Sequence, residues 1–388
     1  MNAVTRHMRR NIRILFLLTL CLFLRTFFEQ ASLQAQIRST NESDSDRKQS
    51  LFSIGAGMQK GFIFAHSPEV ENTKGAHPTG VEWIFSWQRN DRRAWDLCNC
   101  FPRKGLLLAY YDFDRKLLGK GMAAAFFLEP VYRIRKTFFS FKASSGFAFL
   151  SNPFDSLSNP TNRSYSTDIS GYLLLGVSAW FQLSNHWWTN ITINYQHTSN
   201  GGFRQPNKGI NWPTAGVMLH YYTKPETYYT RPRSTVKFWK GTSIRWDAGI
   251  FGIAKRELDK NGESRRLPLL GVHMQGSKQV GRIHALTGGG EIFTDRALKM
   301  KMERDTVEGS ATRAGLLAGH EFILGKFLFS QRLGVYLYHD TPFFTRLYHR
   351  WGVQYHMNKH FGIGVHLNAH KQVAEFVDVR MSYSWRRK

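Results

Sequence analysis

One short stretch of the chain combines residue types that can carry out nucleophilic catalysis. His197 and Ser199 lie two residues apart, at the end of a segment that alternates apolar and polar residues. In a β-strand, residues i and i+2 share a face and lie about 7 Å apart along the strand. A serine becomes a nucleophile when a neighbouring base accepts its proton. The pair therefore suggests a serine hydrolase, and the alternative is a polar rim at the end of a strand.

The loop after this strand contains groups that could complete such a site. Asn200, Gly201 and Asn207 lie in a segment rich in Gly, Pro and Asn, and amide N–H groups there could donate to a developing oxyanion. Asn211 opens the next predicted strand, in phase with the face that carries His197, and could reach the imidazole ring. A loop of this composition is also ordinary hairpin chemistry.

The rest of the chain must position these residues, and most of it has the period of β-strands. In residues 361–370, five apolar residues alternate with glycine, histidine and asparagine, and residues 377–385 repeat the scheme. No helical period persists over three turns, so the pattern predicts an all-β protein. On the segment before the loop, Ile191, Ile193 and Tyr195 fall on the same face as His197 and Ser199.

A soluble β-sandwich with an apolar core would show the same alternation. Two observations favour an outer-membrane barrel instead. Short turns alternate along the chain with long polar loops, and aromatic residues such as Trp187, Tyr221 and Trp385 lie at the ends of segments. We therefore predict an antiparallel transmembrane β-barrel of about 14 to 16 strands whose apolar face contacts lipid. His197 and Ser199 would then face lipid, where an acyl chain is presented.

The N-terminus has the composition of a secretory signal peptide. Four arginines precede an apolar run at residues 14–24, and Leu33-Gln34-Ala35-Gln36 provides a small-residue cleavage site. The run is shorter than the roughly 20 residues of a spanning helix. Cys21 follows Leu20 rather than a small residue, which argues against lipidation. We expect a signal peptide at residues 1–35 and an outer-membrane barrel over 36–388.

The chain is strongly basic, with 53 Lys and Arg against 28 Asp and Glu and a formal net charge of +25. Without residues 1–35, 48 − 27 leaves +21. These charges are spread along the chain rather than clustered, so the pattern favours anionic lipid head groups over nucleic acid. No protein partner is evident, and neither a metal nor an organic cofactor is expected.

The cysteines exclude two classes of site but leave one question open. Three cysteines are too few for a disulfide scaffold or a four-thiolate zinc site. Cys98 and Cys100 are separated by one residue. Either they pair directly in a very small ring, or they are two loop thiols.

Three short motifs together resemble the lipid A deacylase (PagL) family of outer-membrane barrels, and more closely its longer homologues, the bacterial acyloxyacyl hydrolases. The motifs are His-Thr-Ser-Asn at residues 197–200, Pro-Asn-Lys-Gly at 206–209 and Asn-Pro-Thr-Asn at 159–162. The resemblance covers about residues 50–225. Residues from about 237 to 385 would add strands to a wider barrel.

The resemblance implies a role for each motif residue. Ser199 would be the nucleophile, His197 the general base, and Asn200 and Asn207 contributors to the oxyanion hole. Better-known family members carry a glutamate where this chain has Asn211. A neutral amide can orient the imidazole but cannot balance the imidazolium charge. Three outcomes stay open: a weaker third member, a carboxylate supplied by Glu129 or Asp155, or reduced or lost activity.

The sequence thus predicts an outer-membrane serine esterase that removes an acyl chain from lipid A or a related glycolipid. The membrane lipid or lipopolysaccharide would be its partner. The alternative is a barrel without hydrolase activity: a pore, a structural protein or a lipid-binding protein. A soluble secreted β-sandwich is a third possibility.

Overall fold

The structure is a computed structural model that describes residues 50–134, 137–202, 204–224, 235–371 and 373–386. The predicted signal peptide at residues 1–35 lies outside these ranges. The described residues form sixteen β-strands, and every strand pair is antiparallel. Within the same ranges, no helix has the length and apolarity needed to cross a membrane.

The first eight strands form one closed barrel in which each strand pairs with its neighbours in the sequence and β8 pairs back with β1. The connections at residues 62–78, 151–168 and 200–209 are long, whereas that at 183–186 is short. Its strands are β1 (Ser50–Gly61), β2 (Thr79–Arg89), β3 (Phe101–Asp112), β4 (Lys120–Ile134), β5 (Thr137–Leu150), β6 (Ile169–Gln182), β7 (Trp187–Ser199) and β8 (Ile210–Tyr222).

The last eight strands form a second closed barrel, in which β16 pairs with β9. A short helix α1 (Arg92–Cys98) belongs to the first barrel, and α2 (Arg296–Arg304) follows β11 in the second. The strands are β9 (Arg245–Leu258), β10 (Ser264–Gln279), β11 (His284–Asp295), β12 (Ser310–Leu324), β13 (Phe327–Asp340), β14 (Leu347–His356), β15 (Phe361–His370) and β16 (Val373–Arg386).

The prediction of a single barrel of about 14 to 16 strands is therefore wrong in how the strands close. The strand total falls in the predicted range, but residues beyond 237 do not widen the first barrel. They close a separate one. Alternation along a strand shows which side chains share a face, whereas it contains no information about which strand pairs with the first.

Buried ion pairs give a physical reason for closure within each half. Inside the first barrel, Arg103 Nη1 lies 2.9 Å from Glu129 Oε2. Inside the second, Arg350 and Arg380 each lie 2.9 Å from Glu291. Buried charges are tolerated when they are paired, and each of these pairs joins residues of the same half. The interior of an eight-stranded barrel is just wide enough for such side chains to fill.

The outer faces of both barrels carry the apolar residues that the alternation predicts. Ile193 and Val217 in the first barrel, and Val365 and Met381 in the second, are all exposed. Their inward neighbours along the strands are buried and mostly polar or small. An apolar exterior around a closed sheet is the pattern of membrane barrels, since closure leaves no unpaired strand edge in lipid.

The two cysteines that are separated by one residue are paired in the structure. Cys98 and Cys100 form a disulfide, with their Cα atoms 5.1 Å apart. The bond lies at the end of α1, where Asn99 has a left-handed backbone conformation. Of the two possibilities left open by the sequence, the structure has the direct pair.

The closure of the first barrel can be tested by cross-linking. Ala56 on β1 is the register partner of Leu219 on β8, so Ala56→Cys with Leu219→Cys should form a disulfide, because Cβ atoms of partners lie about 4.5–5.5 Å apart. The measurement is peptide mass spectrometry of the oxidised protein in membranes.

The matched control is Ala56→Cys with Met381→Cys on β16, which should stay reduced. A single sixteen-stranded barrel would pair β1 with β16. Cross-linking of the control pair, with no cross-link between β1 and β8, would contradict the two-barrel fold.

Candidate active site

The β7 strand presents the predicted catalytic pair on the outside of the first barrel. Ile193 and Tyr195 are 60% and 45% exposed, and His197 and Ser199 continue the same outward row. The intervening Thr198 is fully buried in the interior. The prediction that His197 and Ser199 share the apolar, outward face is therefore confirmed.

A continuous chain of hydrogen bonds joins serine, histidine and asparagine. His197 Nε2 lies 3.0 Å from Ser199 Oγ, and His197 Nδ1 lies 2.6 Å from Asn211 Oδ1. An amide oxygen can only accept, so Nδ1 carries the proton and Nε2 is left to accept from the serine hydroxyl. This tautomer is the one that a general base needs.

Strand register explains why these side chains meet. His197 on β7 and Asn211 on β8 are direct partners in the ladder, and directly opposite side chains of an antiparallel pair lie close together. Asn211 is 8% exposed although it belongs to an outward row. The third member predicted from the sequence is thus delivered by the hairpin itself.

Asn200 organises the loop that follows Ser199. Its side-chain Nδ2 donates to Arg204 O at 2.8 Å, and its Oδ1 accepts from the Gly202 amide at 3.0 Å. Its backbone N–H donates to Asn207 Oδ1, also at 3.0 Å. All three groups of Asn200 are therefore engaged within the loop.

Asn207 and Gly201 each keep one donor without an acceptor in the described part of the chain. Asn207 accepts from Asn200 through its oxygen, which leaves its side-chain Nδ2 unpaired. The Gly201 amide donates to none of the described backbone or side-chain acceptors. Both predicted residues thus keep a free N–H close in sequence to Ser199, whereas Asn200 does not.

The upstream Asn-Pro-Thr-Asn motif at residues 159–162 supports the loop between β7 and β8. Asn159 and Asn162 both donate through Nδ2 to Asn152 O at 2.9 Å, which holds the long connection between β5 and β6 in a compact turn. The next part of that connection receives the Gly209 amide on Ser164 O at 2.7 Å. The two asparagine-rich motifs therefore form one supporting structure.

Gly209 lies in the space directly against the histidine. Its φ is +78°, and a Cβ atom at this position would lie 2.8 Å from His197 Cε1 and 3.4 Å from Ser199 Cβ. A non-glycine residue would meet both the backbone strain and the ring. The glycine of the Pro-Asn-Lys-Gly motif is therefore explained by its close contact with His197 and Ser199.

The structure adds a residue that the sequence analysis missed. His66 lies in the connection after β1, and its Nδ1 is 2.8 Å from Asn211 Nδ2. The Phe64 amide donates to Asn211 O at 2.8 Å, which continues the pairing of β1 with β8 and brings His66 to the site. No local signal could have identified a lone histidine that is 145 positions from its partner.

An ion pair ties the connection that holds His66 to the motif loop. Lys208 Nζ lies 2.7 Å from Glu69 Oε1. The hydrogen bond from Lys208 lowers the pKa of Glu69 to about 2. Because this folded-state pKa is depressed, the carboxylate keeps its charge and its partner until the pH falls to about 2.

Neither carboxylate considered as a substitute third member lies in the site. Glu129 is buried in the barrel interior, where it accepts from Arg103 and Ser140. Asp155 accepts the Leu157 and Ser158 amides and so caps a turn in the connection between β5 and β6. Neither carboxylate therefore pairs with His197. The barrel interior holds Glu129, and the connection between β5 and β6 holds Asp155.

The second barrel also touches the motif loop. A Cβ atom at Gly201 would lie 3.3 Å from Val377 Cγ2 on β16, so the loop passes against this outward-facing valine. The boundary of the site therefore includes a strand far beyond the motif region. Among the described residues, no group of three or more His, Cys, Asp or Glu side chains could hold a metal ion.

The fold and the site together define a class of protein: a membrane barrel with a serine–histidine–asparagine chain on its outer wall. Residues 79–227 match the family model described as lipid A 3-O-deacylase (PagL), and residues 244–387 match the model described as acyloxyacyl hydrolase, C-terminal domain. The chain belongs to this family and is an outer-membrane protein. The resemblance read from the three motifs is confirmed.

Comparison with solved structures returns other outer-membrane barrels at very low similarity. A deltaS2S3 mutant of the TodX monoaromatic hydrocarbon channel is 9% identical, with a TM-score of 0.19 over 88% of this chain and 91% of that one. A triple mutant of the Rhodopseudomonas blastica porin is 6% identical, with a TM-score of 0.18 over 87% and 99%. These scores carry no argument about function. No curated protein matches the chain.

The contact at Gly209 yields a prediction with a matched control. Gly209→Ala should lower kcat about 100-fold, because the new methyl group displaces the His197 ring from the serine. Gly262 has nearly the same φ, +80°, and a Cβ atom added there would have nothing within 4 Å. Gly262→Ala should therefore cost about 1–2 kcal/mol of backbone strain and leave kcat unchanged.

The measurement is the rate of acyl release by each folded variant in detergent or vesicles. Equal losses for the two variants would mean that backbone strain, rather than the contact with His197, explains the glycine.

Proposed function

We propose that this protein is an outer-membrane esterase that removes an acyl chain from lipid A or a related glycolipid through Ser199 and His197. The observation that carries the proposal is the hydrogen-bonded chain Ser199–His197–Asn211, at 3.0 Å and 2.6 Å, on the outward face of β7. Membership of the lipid A 3-O-deacylase family supports the substrate class.

The geometry supports a two-step mechanism. Ser199 Oγ attacks the ester carbonyl carbon while its proton passes to His197 Nε2, so that an O–C bond forms and the carbonyl oxygen becomes an oxyanion. The intermediate then collapses, the ester C–O bond breaks, and His197 returns the proton to the leaving alcohol. Water, deprotonated by His197, hydrolyses the acyl-serine and releases the fatty acid.

Two loop donors are suited to the oxyanion. The Asn207 Nδ2 and the Gly201 N–H have no acceptor among the described residues, and a preorganised N–H gains most where charge develops. Asn200 supports them indirectly, since its backbone N–H holds the Asn207 oxygen at 3.0 Å. Asn200 thus acts on the oxyanion indirectly, because it positions Asn207.

The position of the site suits a substrate that stays in the membrane. The ester of a lipid held against the outer wall can reach Ser199 at the end of β7, with its acyl chain along apolar residues such as Ile193. Arg204 in the motif loop is a basic residue that could contact anionic head groups.

The alternative of a pore has little physical support. Buried side chains, including the ion pairs of Arg103 and Arg350, occupy the interiors along the described strands. Water-filled channels are typical of barrels with 16 or more strands in one ring.

The decisive test is mass spectrometry of lipid A from membranes that contain the wild-type protein or Ser199→Ala. We expect the mass of one acyl chain to be lost with the wild type and retained with the variant, because removal of the nucleophile abolishes acyl transfer. Ser330→Ala, which removes a buried hydroxyl from the second barrel, is the control and should behave as the wild type.

Identical lipid A spectra with the wild type and Ser199→Ala, when both are folded, would refute the proposed hydrolase. Deacylation that persists in Ser199→Ala but disappears in His197→Asn would instead refute Ser199 as the nucleophile.

A further inference from the structure

The third member of the chain is an amide, and an amide has two different ends. Asn211 presents its oxygen to His197 Nδ1 at 2.6 Å. Rotation of the side chain by about half a turn would present its NH₂ group instead, with almost the same shape. A carboxylate at this position would present an oxygen in either orientation. This chain therefore has an orientation problem that a glutamate or aspartate does not have.

The orientation of Asn211 decides whether His197 can act. When Oδ1 faces the ring, Nδ1 holds the proton and Nε2 accepts from Ser199. When Nδ2 faces the ring, Nδ1 must accept, the proton moves to Nε2, and the imidazole cannot take the serine proton. The wrong tautomer of the histidine is known to suppress catalysis by a triad strongly.

His66 is positioned to select the productive orientation. In the tautomer that carries its proton on Nε2, His66 Nδ1 accepts from Asn211 Nδ2 at 2.8 Å, and the opposite orientation of the amide would place two acceptors against each other. The connection that carries His66 is held from two sides, by the Phe64 amide on Asn211 O at 2.8 Å and by the Glu69–Lys208 ion pair at 2.7 Å. The position of His66 thus rests on a backbone hydrogen bond and an ion pair in addition to its own contact with the Asn211 side chain.

We infer that His66 is a positioning residue of the hydrolase: it orients the Asn211 amide and so sets the tautomer of His197. This inference rests on the proposed function. The hydrogen-bond partner of the His66 ring is Asn211 rather than Ser199. The effect of His66 should appear in kcat rather than in KM.

The first experiment compares His66→Leu with His66→Asn. Leucine removes the acceptor, and asparagine can place an amide oxygen near the position of Nδ1. A hydrogen bond of ordinary strength corresponds to a roughly two- to tenfold preference for one amide orientation. Without that preference the two amide orientations are about equally populated, so we expect His66→Leu to lower kcat by up to about twofold with KM nearly unchanged, and His66→Asn to recover most of that loss.

The second experiment repeats His66→Leu in the Asn211→Asp background. Aspartate has the shape of asparagine but two equivalent oxygens, so no orientation has to be selected. We expect His66→Leu to leave kcat nearly unchanged there. An equal loss in both backgrounds would overturn the inference, because it would mean that His66 acts through general packing or substrate binding.

A spectroscopic measurement reads the tautomer without relying on activity. In ¹⁵N-histidine-labelled protein in lipid, the His197 signals are assigned by their absence in His197→Asn. We expect the wild type to show a protonated Nδ1, and His66→Leu to show a mixture with protonated Nε2. An unchanged tautomer in His66→Leu would also overturn the inference.

These readouts separate failure of the inference from failure of the proposed function. If the wild type releases no fatty acid from lipid A, the proposed hydrolase fails, and the nitrogen spectra still report whether His66 controls the histidine tautomer. If the wild type is active but His66→Leu matches it in kcat and in spectrum, only the role of His66 fails.

Discussion

The pairing of β8 with both of its neighbours is the interaction on which the site depends. The ladder with β7 places Asn211 opposite His197, and the ladder with β1 continues past the end of the strand to bring His66 to the same asparagine. In lipid an open sheet edge is prohibitively costly, because its N–H and C=O groups find no partners. The strand pairing that closes the barrel therefore also brings Asn211, His197 and His66 together.

A neutral third member changes how such a site must be supported. Asn211 orients His197 at 2.6 Å but cannot balance the charge of an imidazolium. It also needs a partner for its own NH₂ group, and His66 supplies that partner from a separate connection. Three features fix the positions of groups around the site. They are the contact of Gly209 with His197, the hydrogen bonds of Asn159 and Asn162, and the Glu69–Lys208 ion pair. The site therefore depends on how its groups are positioned, whereas a carboxylate in place of Asn211 would also stabilise the imidazolium through its charge.

Each barrel pairs buried charges within its own interior. Arg103 finds Glu129 in the first half, and Arg350 finds Glu291 and Asp378 in the second. An unpaired buried charge is far more costly than a paired one. Each of these arginines is therefore stabilised by a carboxylate of its own barrel. The second barrel still takes part in the site, because Val377 lies against the loop that carries Gly201.

The sequence alone determined the local properties of this protein. The period-two alternation predicted the strands and the outward face of His197 and Ser199, and the spacing of the motifs identified the family, because both are properties of neighbouring residues along the chain. The sequence could also place Asn211 in phase with His197, since a hairpin joins their strands. Only the tertiary structure decided that sixteen strands close as two rings, that Glu129 lies in an interior and that His66 lies beside Asn211. Those outcomes depend on contacts between residues far apart in the chain, and such contacts exist only once the barrel has closed.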